Sequence, residues 1–106
     1  MKRIIDGKRY NTKTAEYICD VSPNGGYYSR NDFRWESTAL YRTPKGNWFV
    51  SGEGGPMTRW SRSAGNMKTG GEGIEPISAD EARDLLERHN ENELVEKYFV
   101  GQIDDA

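Results

Sequence analysis

At 106 residues the chain is long enough for one domain with a single modest core, and its lone cysteine, Cys19, excludes an intramolecular disulfide. Only 34% of the residues are hydrophobic, but 11% are aromatic, which favours a folded domain over a disordered chain, and no apolar run approaches the ~18 residues of a membrane helix. The net charge of −2 conceals two opposed halves, because residues 1–70 carry +6 and residues 71–106 carry −8. We therefore expect either a charged partner or attraction between the two halves within the fold.

Two elements are predicted before the middle of the chain. Asp6-Gly7 lies between short strand-like runs within residues 4–10, which predicts a β-hairpin with a type I′ turn. Apolar residues in 14–21 recur at helical spacing, although a strand would also fit, and we predict a short helix there. The Pro, Asn and Gly residues of 22–26 predict the loop that ends it.

The clearest strand region lies in the middle of the chain. Residues 36–43 and 48–51 flank a four-residue turn and predict an antiparallel hairpin. Residues 57–62 are predicted as a third antiparallel strand, and the Gly-rich, polar stretch 63–73 as a long surface loop with a mobile tip. Residues 74–77 predict a short edge segment, since its proline cannot donate to a ladder.

The last third of the chain predicts two helices. Ser78 and Glu81 have the spacing of a capping box, which marks the start of the first helix. Its apolar stripe consists of Ala82, Leu85, Leu86 and His89. Residues 90–92 break or bend the helix, and a second helix follows, with Gly101 at its C′ position. The residues of this second helix that should face inward are Leu94, Val95, Tyr98 and Phe99. The predicted fold class is α+β, an antiparallel sheet of four to five strands with two C-terminal helices packed on one face.

The residues that catalysis commonly needs are scarce. One His and one Cys cannot build a structural zinc site, and a nucleophilic pair of Cys19 and His89 is disfavoured because both lie on core-facing stripes. The glycine run at 52–55 is not followed by the Lys-Ser/Thr of a phosphate loop, so a tight turn is its simpler interpretation. We therefore predict that the chain is not an enzyme and uses no cofactor and no metal.

A row of carboxylates in the first predicted helix is one binding signal. Four acidic residues recur at i, i+4, i+7 and i+11, namely Asp80, Asp84, Glu87 and Glu91. If the helix runs through, successive carboxylates lie roughly 5–6 Å apart along its axis, close to every second phosphate of one DNA strand. Such a row could fill a basic groove built for nucleic acid. The alternative is an ordinary solvated helix face.

Aromatic and basic residues interleave in the middle of the chain, as they do in nucleic-acid-binding sheets. The basic residues of this region are Arg30, Arg34, Arg42, Arg59 and Arg62. The alternative is that at least two of Trp35, Trp48 and Trp60 belong to the core, with arginines stacked on their rims. The acidic isoelectric point, near 5.4, disfavours nucleic-acid binding.

Several segments carry a resemblance to known proteins. They are Ala39-Leu40-Tyr41-Arg42-Thr43, Trp48-Phe49, Gly52-Glu53-Gly54-Gly55-Pro56-Met57-Thr58-Arg59-Trp60, Gly70-Gly71, Ile74, Pro76-Ile77, Glu81-Ala82, Leu85-Leu86-Glu87 and the opening residues 4–10. With these segments the chain resembles, over most of its length, a family of small accessory proteins carried by bacterial integrative elements, plasmids and phages. The family has no settled activity, so the resemblance assigns no functional residue.

The resemblance implies a context. Accessory proteins of mobile elements include inhibitors of host defence, anti-CRISPR proteins among them, which often occupy nucleic-acid sites of their target. We therefore expect a protein that binds and inhibits a host defence nuclease complex through a basic groove of that complex; the alternative is nucleic-acid binding by the basic-aromatic region. The predicted partner-binding residues are Asp80, Asp84, Glu87, Glu91, Glu53, Arg59, Trp60 and Arg62. The first residues lack the apolar stretch of a signal peptide, which predicts a cytoplasmic location and no membrane partner.

Overall fold

A four-stranded antiparallel sheet forms the centre of the structure, a computed structural model that describes residues 1–23 and 28–106. In chain order the elements are β1 (Lys2–Ile5), β2 (Lys8–Asn11), β3 (Glu16–Asp20), β4 (Glu36–Arg42), β5 (Trp48–Gly54), β6 (Arg62–Ala64), β7 (Met67–Thr69), β8 (Gly71–Ile77), α1 (Ala79–Arg88) and α2 (Asn92–Phe99). The central sheet has the order β3-β4-β5-β8, and β1–β2 and β6–β7 are separate hairpins. The predicted α+β class is confirmed. Part of the predicted loop at 22–26 lies outside the described residues.

The two helices cover one face of the sheet. Leu40, Trp48 and Val50 alternate onto this face and are buried against both helices. The helices contribute Ala82, Leu85, Leu86, Val95 and Phe99 to the same cluster. The inward residues of both predicted helices are thus largely correct, because the 3.6-residue period of each helix matches its buried stripe.

The N-terminal hairpin covers part of the opposite face. Tyr10 of β2 packs edge-on against Phe49, with a centroid distance of 5.5 Å, and Ile74 completes this smaller cluster. The hairpin turns at Asp6 and Gly7, whose φ angles of 52° and 76° are those of a type I′ turn, as predicted. The sheet is therefore sandwiched between a basic hairpin and an acidic pair of helices.

The helix boundaries follow from their caps. The Ser78 hydroxyl accepts from the Glu81 backbone N–H at 3.1 Å, and the Glu81 carboxylate accepts from the Ser78 N–H at 3.2 Å, which confirms the capping box. Asn90, with φ 56°, interrupts the chain between α1 and α2. Gly101 does not occupy the C′ position that we predicted, because it lies without positive φ inside a 3-10 turn at Val100–Gln102.

Residues 14–21 contain the edge strand β3, Glu16–Asp20, and not the predicted helix. A register shift between Tyr17 and Cys19 marks a β-bulge in its pairing with β4. The bulge explains the misleading pattern, since Ile18 and Cys19 are consecutive and yet both pack on the helix-covered side. Regular alternation would have separated them onto opposite faces.

The region between β5 and β8 also differs from its prediction. Residues 57–62 do not form a third strand, because turns occupy most of this stretch. The strand that pairs with β5 on the side away from β4 is β8. Residues 63–73 are not one long loop, because β6 and β7 pair there around Gly65, whose φ is 64°. The edge position predicted for residues 74–77 is confirmed within the longer strand β8. β6 and β7 are short and polar, so they have no apolar alternation from which the sequence could predict them.

Candidate binding surfaces

The helices present a strongly acidic surface, which we call the acidic helical layer and define as residues 78–106. It holds nine acidic and three basic side chains, a net charge of −6. The buried apolar side chains of α1 and α2 face the sheet, so most charged side chains of the layer lie outward. The charge division along the sequence is therefore a division across the sheet.

Three of the predicted carboxylates lie together on α1. Asp80, Asp84 and Glu87 share one helix face and are all exposed. Asp84 pairs with Arg88 at 3.0 Å, and Glu87 pairs with Arg83 at 3.8 Å. Both pairs join i and i+4 of the same helix in solvent, where such contacts contribute at most about 0.5 kcal/mol. A stronger basic partner can displace them.

Glu91 does not extend this row. The continuous four-carboxylate stripe is wrong, because Asn90 breaks the helix and Glu91 becomes the half-buried N-cap residue of α2. Its carboxylate lies near Cys19, where it adds to the effect of burial in raising the pKa of that thiol. The acidic row is therefore three carboxylates long.

The acidic half of the chain is not neutralised by the basic half. Within residues 1–23 and 28–106, no carboxylate of residues 71–106 forms a salt bridge with an arginine or lysine of residues 1–70. A groove of about 440 Å³ between α1 and β8 is lined by Arg59 of the basic half together with Glu81 and Asp84 of the acidic half. The acidic helical layer thus remains open to a partner.

Trp60 belongs to the core. It is 6% exposed, and its indole N–H donates to the Thr38 hydroxyl at 2.9 Å. Thr38 in turn donates to the buried Glu36 carboxylate at 2.5 Å, and the Arg59 Nε lies 3.4 Å from the same carboxylate. A Cβ on Gly73 would stand only 3.1 Å from the indole ring, so this glycine lets the ring lie flat on the sheet. Trp60 therefore offers no ring to a partner in this conformation.

Two arginines cap the outer edge of β8. Arg62 donates to the Glu72 carbonyl at 3.0 Å, and Arg3 reaches the Ile74 carbonyl at 3.4 Å. Because carbonyls are neutral, these bonds orient the guanidinium groups without cancelling their charge. They line a groove of about 560 Å³, which we call the basic groove after its residues Lys2, Arg3, Arg59 and Arg62. Glu72 and Glu75 also border it.

A hairpin projects beside this groove. We call it the basic arm and define it as β6, β7 and the turn between them, residues 62–69. All of its residues are exposed, and Gly65 in its turn has open space around it. From Gly54 to Gly71 the sequence contains Arg59, Arg62 and Lys68 and no acidic residue. Sequence reasoning missed the arm, although this acid-free stretch was visible.

Arg30 and Arg34 are stacked on aromatic rings away from the basic groove. Arg30 lies 4.4 Å from the ring centre of Trp35, and Arg34 lies 4.1 Å from that of Tyr28. Arg34 also donates two side-chain hydrogen bonds to Asp32, which lower the pKa of that carboxyl to about 2. These contacts hold residues 28–35 together just before β4.

Arg42 lies at the opposite end of the sheet, among aromatic rings. Its guanidinium is 5.6 Å from the ring centre of Trp48 and 5.3 Å from that of Tyr98. The five arginines of the predicted basic-aromatic region therefore do not form one surface, and Arg59 and Arg62 alone among them line the basic groove. The burial of Trp48 and Trp60 confirms that at least two tryptophans are core.

Glu53 lies apart from the acidic helical layer. Its carboxylate is 3.5 Å from Arg30, and it stands opposite Glu72 in the β5–β8 register. It borders an open pocket of about 400 Å³ with Trp35 and four glycines. The eight predicted partner-binding residues thus occupy three separate places: α1 and the start of α2, the basic groove with Trp60 beneath it, and this pocket.

Catalytic chemistry finds little support in this geometry. Burial raises the pKa of the Cys19 thiol to about 11, so the thiol is protonated and a poor nucleophile at neutral pH. In the part of the chain that the structure describes, no three His, Cys, Asp or Glu side chains are placed to hold a metal ion. Neither described helix is long and apolar enough to cross a membrane.

Three comparisons with known proteins found no match for this chain. No family model matches the sequence, no curated protein is similar to it, and no solved structure matches the fold. We therefore infer its function from the surfaces described above.

Proposed function

We propose that this protein is a non-catalytic binding protein whose acidic helical layer occupies a basic, nucleic-acid-binding groove of another protein. The observation that carries the proposal is the outward net charge of −6 on a layer that no described cation of residues 1–70 neutralises and whose two helices are fixed by the core. Charge of one sign on a rigid surface raises the association rate with an oppositely charged groove and favours correct orientation.

The row on α1 sets the geometry of this contact. Asp80, Asp84 and Glu87 lie about 6 Å and about 4.5 Å apart along the helix axis, from the rise of ~1.5 Å per residue. A groove that binds a nucleic-acid strand spaces its cations for phosphates at similar intervals. The arginines that pair with Asp84 and Glu87 come from α1 itself. Arg88 is exposed and can turn away when the groove supplies its own cations, whereas Arg83 is half-buried and also donates to Gln102.

The resemblance to accessory proteins of mobile elements supports a narrower identity for the partner. Inhibitors in such elements often block the nucleic-acid site of a host defence nuclease. We therefore propose a host defence nuclease complex as the target and inhibition by occupation of its nucleic-acid groove as the effect. The acidic row on α1 fits a competitor that occupies such a groove by charge.

Affinity purification followed by competition tests this proposal. Tagged protein is incubated with nuclease-treated lysate of the host bacterium, and the captured nuclease complex is then titrated with its fluorescent target DNA. We expect the protein to compete with that DNA, and the double variant Asp84→Lys/Glu87→Lys to compete at least tenfold less well with a flatter salt dependence.

A matched variant separates local from global charge. Asp104→Lys/Asp105→Lys changes the net charge by the same amount at the C-terminal end of the acidic helical layer, away from the row on α1, and should weaken competition far less than the α1 variant does. Circular dichroism checks that both variants keep their helices. Equal competition by the α1 variant and the unmodified protein would exclude the acidic row as the binding surface.

A further inference from the structure

We infer that the basic arm is a DNA-binding ribbon that enters the major groove of a B-form duplex, with the basic groove at its base holding the phosphate backbone. This inference concerns the surface opposite in charge to the acidic helical layer, and it does not rest on the function proposed above.

The arm is built as a projection and not as part of the core. Its three cross-strand pairs are Arg62↔Thr69, Ser63↔Lys68 and Ala64↔Met67. All six residues are exposed, and the arm's strands make their main contacts with each other. An isolated two-stranded hairpin is marginally stable in water, so a hairpin without a core needs either tethering or a partner. Its base is tethered by the Arg62 bond to the Glu72 carbonyl.

The dimensions of the arm fit the major groove. Two paired strands lie about 4.8 Å apart, and a two-stranded ribbon with its side chains fits a groove about 12 Å wide. Three residue pairs at about 3.3 Å each give a reach of about 10 Å, compared with a groove depth of about 8.5 Å. The arm is therefore long enough to bring its turn to the base edges while its base stays at the backbone.

The side chains of the arm suit this position. The turn consists of Gly65 and Asn66, and the glycine has the positive φ that a type II′ turn requires at its first central position. Asn66 at the tip is a side chain that pairs with adenine edges, and Ser63 can donate or accept at any base. Lys68, opposite Ser63, offers a flexible cation for phosphate or guanine.

The basic groove would supply the backbone contacts. Lys2 and Arg3 belong to β1, and their side chains line the groove at the base of the arm. Phosphate contacts fix the register of a protein on DNA, whereas base contacts select sequence. The arm and the acidic helical layer are attached to opposite ends of β8, which spans about 20 Å, so the length of this strand separates the arm from the start of α1.

A duplex of B-form geometry is favoured over RNA for a steric reason. The major groove of A-form RNA is deep and too narrow for a ribbon to read. An acidic protein segment would be attracted by the same cations, but it would not need a projecting ribbon with polar side chains on both faces. The projection is the observation that favours a grooved nucleic acid.

Fluorescence anisotropy with a labelled DNA duplex of ~20 base pairs tests the inference. For four phosphate contacts, affinity should fall roughly 150-fold between ~50 and ~200 mM salt. Lys68→Ala removes one contact from an exposed position, so the loss over the same interval should shrink to roughly 40-fold, and binding at ~50 mM salt should weaken about tenfold. Lys45→Ala, in the turn at the other end of β5, removes the same charge and should change neither value.

Three outcomes would overturn the inference. One is the absence of DNA binding at ~50 mM salt with protein up to ~100 μM, the weak limit of non-specific binding. Another is a salt dependence that Lys68→Ala leaves unchanged or that Lys45→Ala reduces equally. The third is equal affinity for an RNA duplex of the same sequence. The variant Asp84→Lys/Glu87→Lys should keep the steep salt dependence, so failure here is distinguishable from failure of the proposed function.

Discussion

The acidic helical layer and the basic arm are two charged surfaces that differ in how they are attached to the core. The helical layer contributes five buried side chains to the main core, and its charges lie on the face that the core does not need. The arm contributes none, and both of its faces are exposed. Its charge is therefore carried by an element that has little stability of its own.

The difference teaches how rigidity is distributed in a small domain. A helix fixed by packing presents carboxylates at constant spacing, which suits recognition of a groove that already exists. A hairpin fixed only at its base can adjust to a groove as it enters. Mutations should therefore separate the two surfaces, since the first depends on the core and the second on the residues at the base of the arm.

Truncation of a core leucine should produce the largest effect. Leu86 is fully buried in the cluster between sheet and helices, and Leu86→Ala should lower the free energy of unfolding by about 2–5 kcal/mol. The loss combines the missing apolar contact with the cavity left behind. Guanidinium chloride unfolding, followed by tryptophan fluorescence, measures it.

The matched change in the arm should do almost nothing to stability. Met67 is 72% exposed, so Met67→Ala should change the free energy of unfolding by less than about 0.5 kcal/mol. A large loss from Met67→Ala would show that the arm is packed and would contradict the contrast between the two surfaces.

The base of the arm should respond with an intermediate effect. Trp60→Phe removes the N–H that donates to Thr38 and leaves space beside Gly73, which should cost about 1–3 kcal/mol. Because Trp60 lies two residues before the arm, we also expect faster hydrogen exchange of the amides in 62–69. Mass spectrometry of exchanged peptides measures this.

A tryptophan outside the core, Trp35, supplies the control. Trp35 is half-buried and belongs to neither core cluster, so Trp35→Phe should cost less than about 1 kcal/mol and leave exchange in 62–69 unchanged. If both variants accelerated exchange equally, Trp60 would have no special role in holding the arm.

Sequence patterns predicted the parts of this fold in which local and long-range signals agree. Three short patterns each predict a local structure from a few neighbouring residues. They are the capping box at Ser78, the Asp6-Gly7 turn and the alternation in β4 and β5. The prediction for the segment that forms β3 was wrong because the bulge in this strand depends on β4, a partner distant in sequence. A single sequence does not show that partner.

The candidate surfaces were less predictable than the fold. The acidic row on α1 was visible, but its end at Asn90 depended on a left-handed backbone that only the structure reveals. The basic groove joins residues near 2–3 with residues near 59–62, a contact across more than fifty positions. Trp60 was assigned to a partner because a tryptophan between arginines has the same pattern in a core and at an interface.

The smallest predicted effect concerns Cys19, which is buried between the sheet and the acidic helical layer. Cys19 is buried in the cluster that the helices close, and burial, together with Glu91 and Asp20, raises the pKa of its thiol from 9.0 to about 11. The folded state holds this proton more tightly than the unfolded state, so its contribution to stability is complete below pH 9 and is lost as pH rises towards 11. At pH 7.5 we expect labelling by a thiol reagent to be limited by opening of the helices.

The labelling rates of two variants then show whether Cys19 is exposed by opening of the helices or of the basic arm. Leu86→Ala weakens the packing of α1 and should accelerate labelling of Cys19 by roughly tenfold or more, since each 1.4 kcal/mol of lost local stability raises the open population tenfold. Met67→Ala should leave the labelling rate unchanged, because the arm does not cover the thiol. Rapid labelling of the unmodified protein, at the rate of its urea-unfolded form, would mean that the helices do not close over β3 and that the acidic row is not held at a fixed spacing.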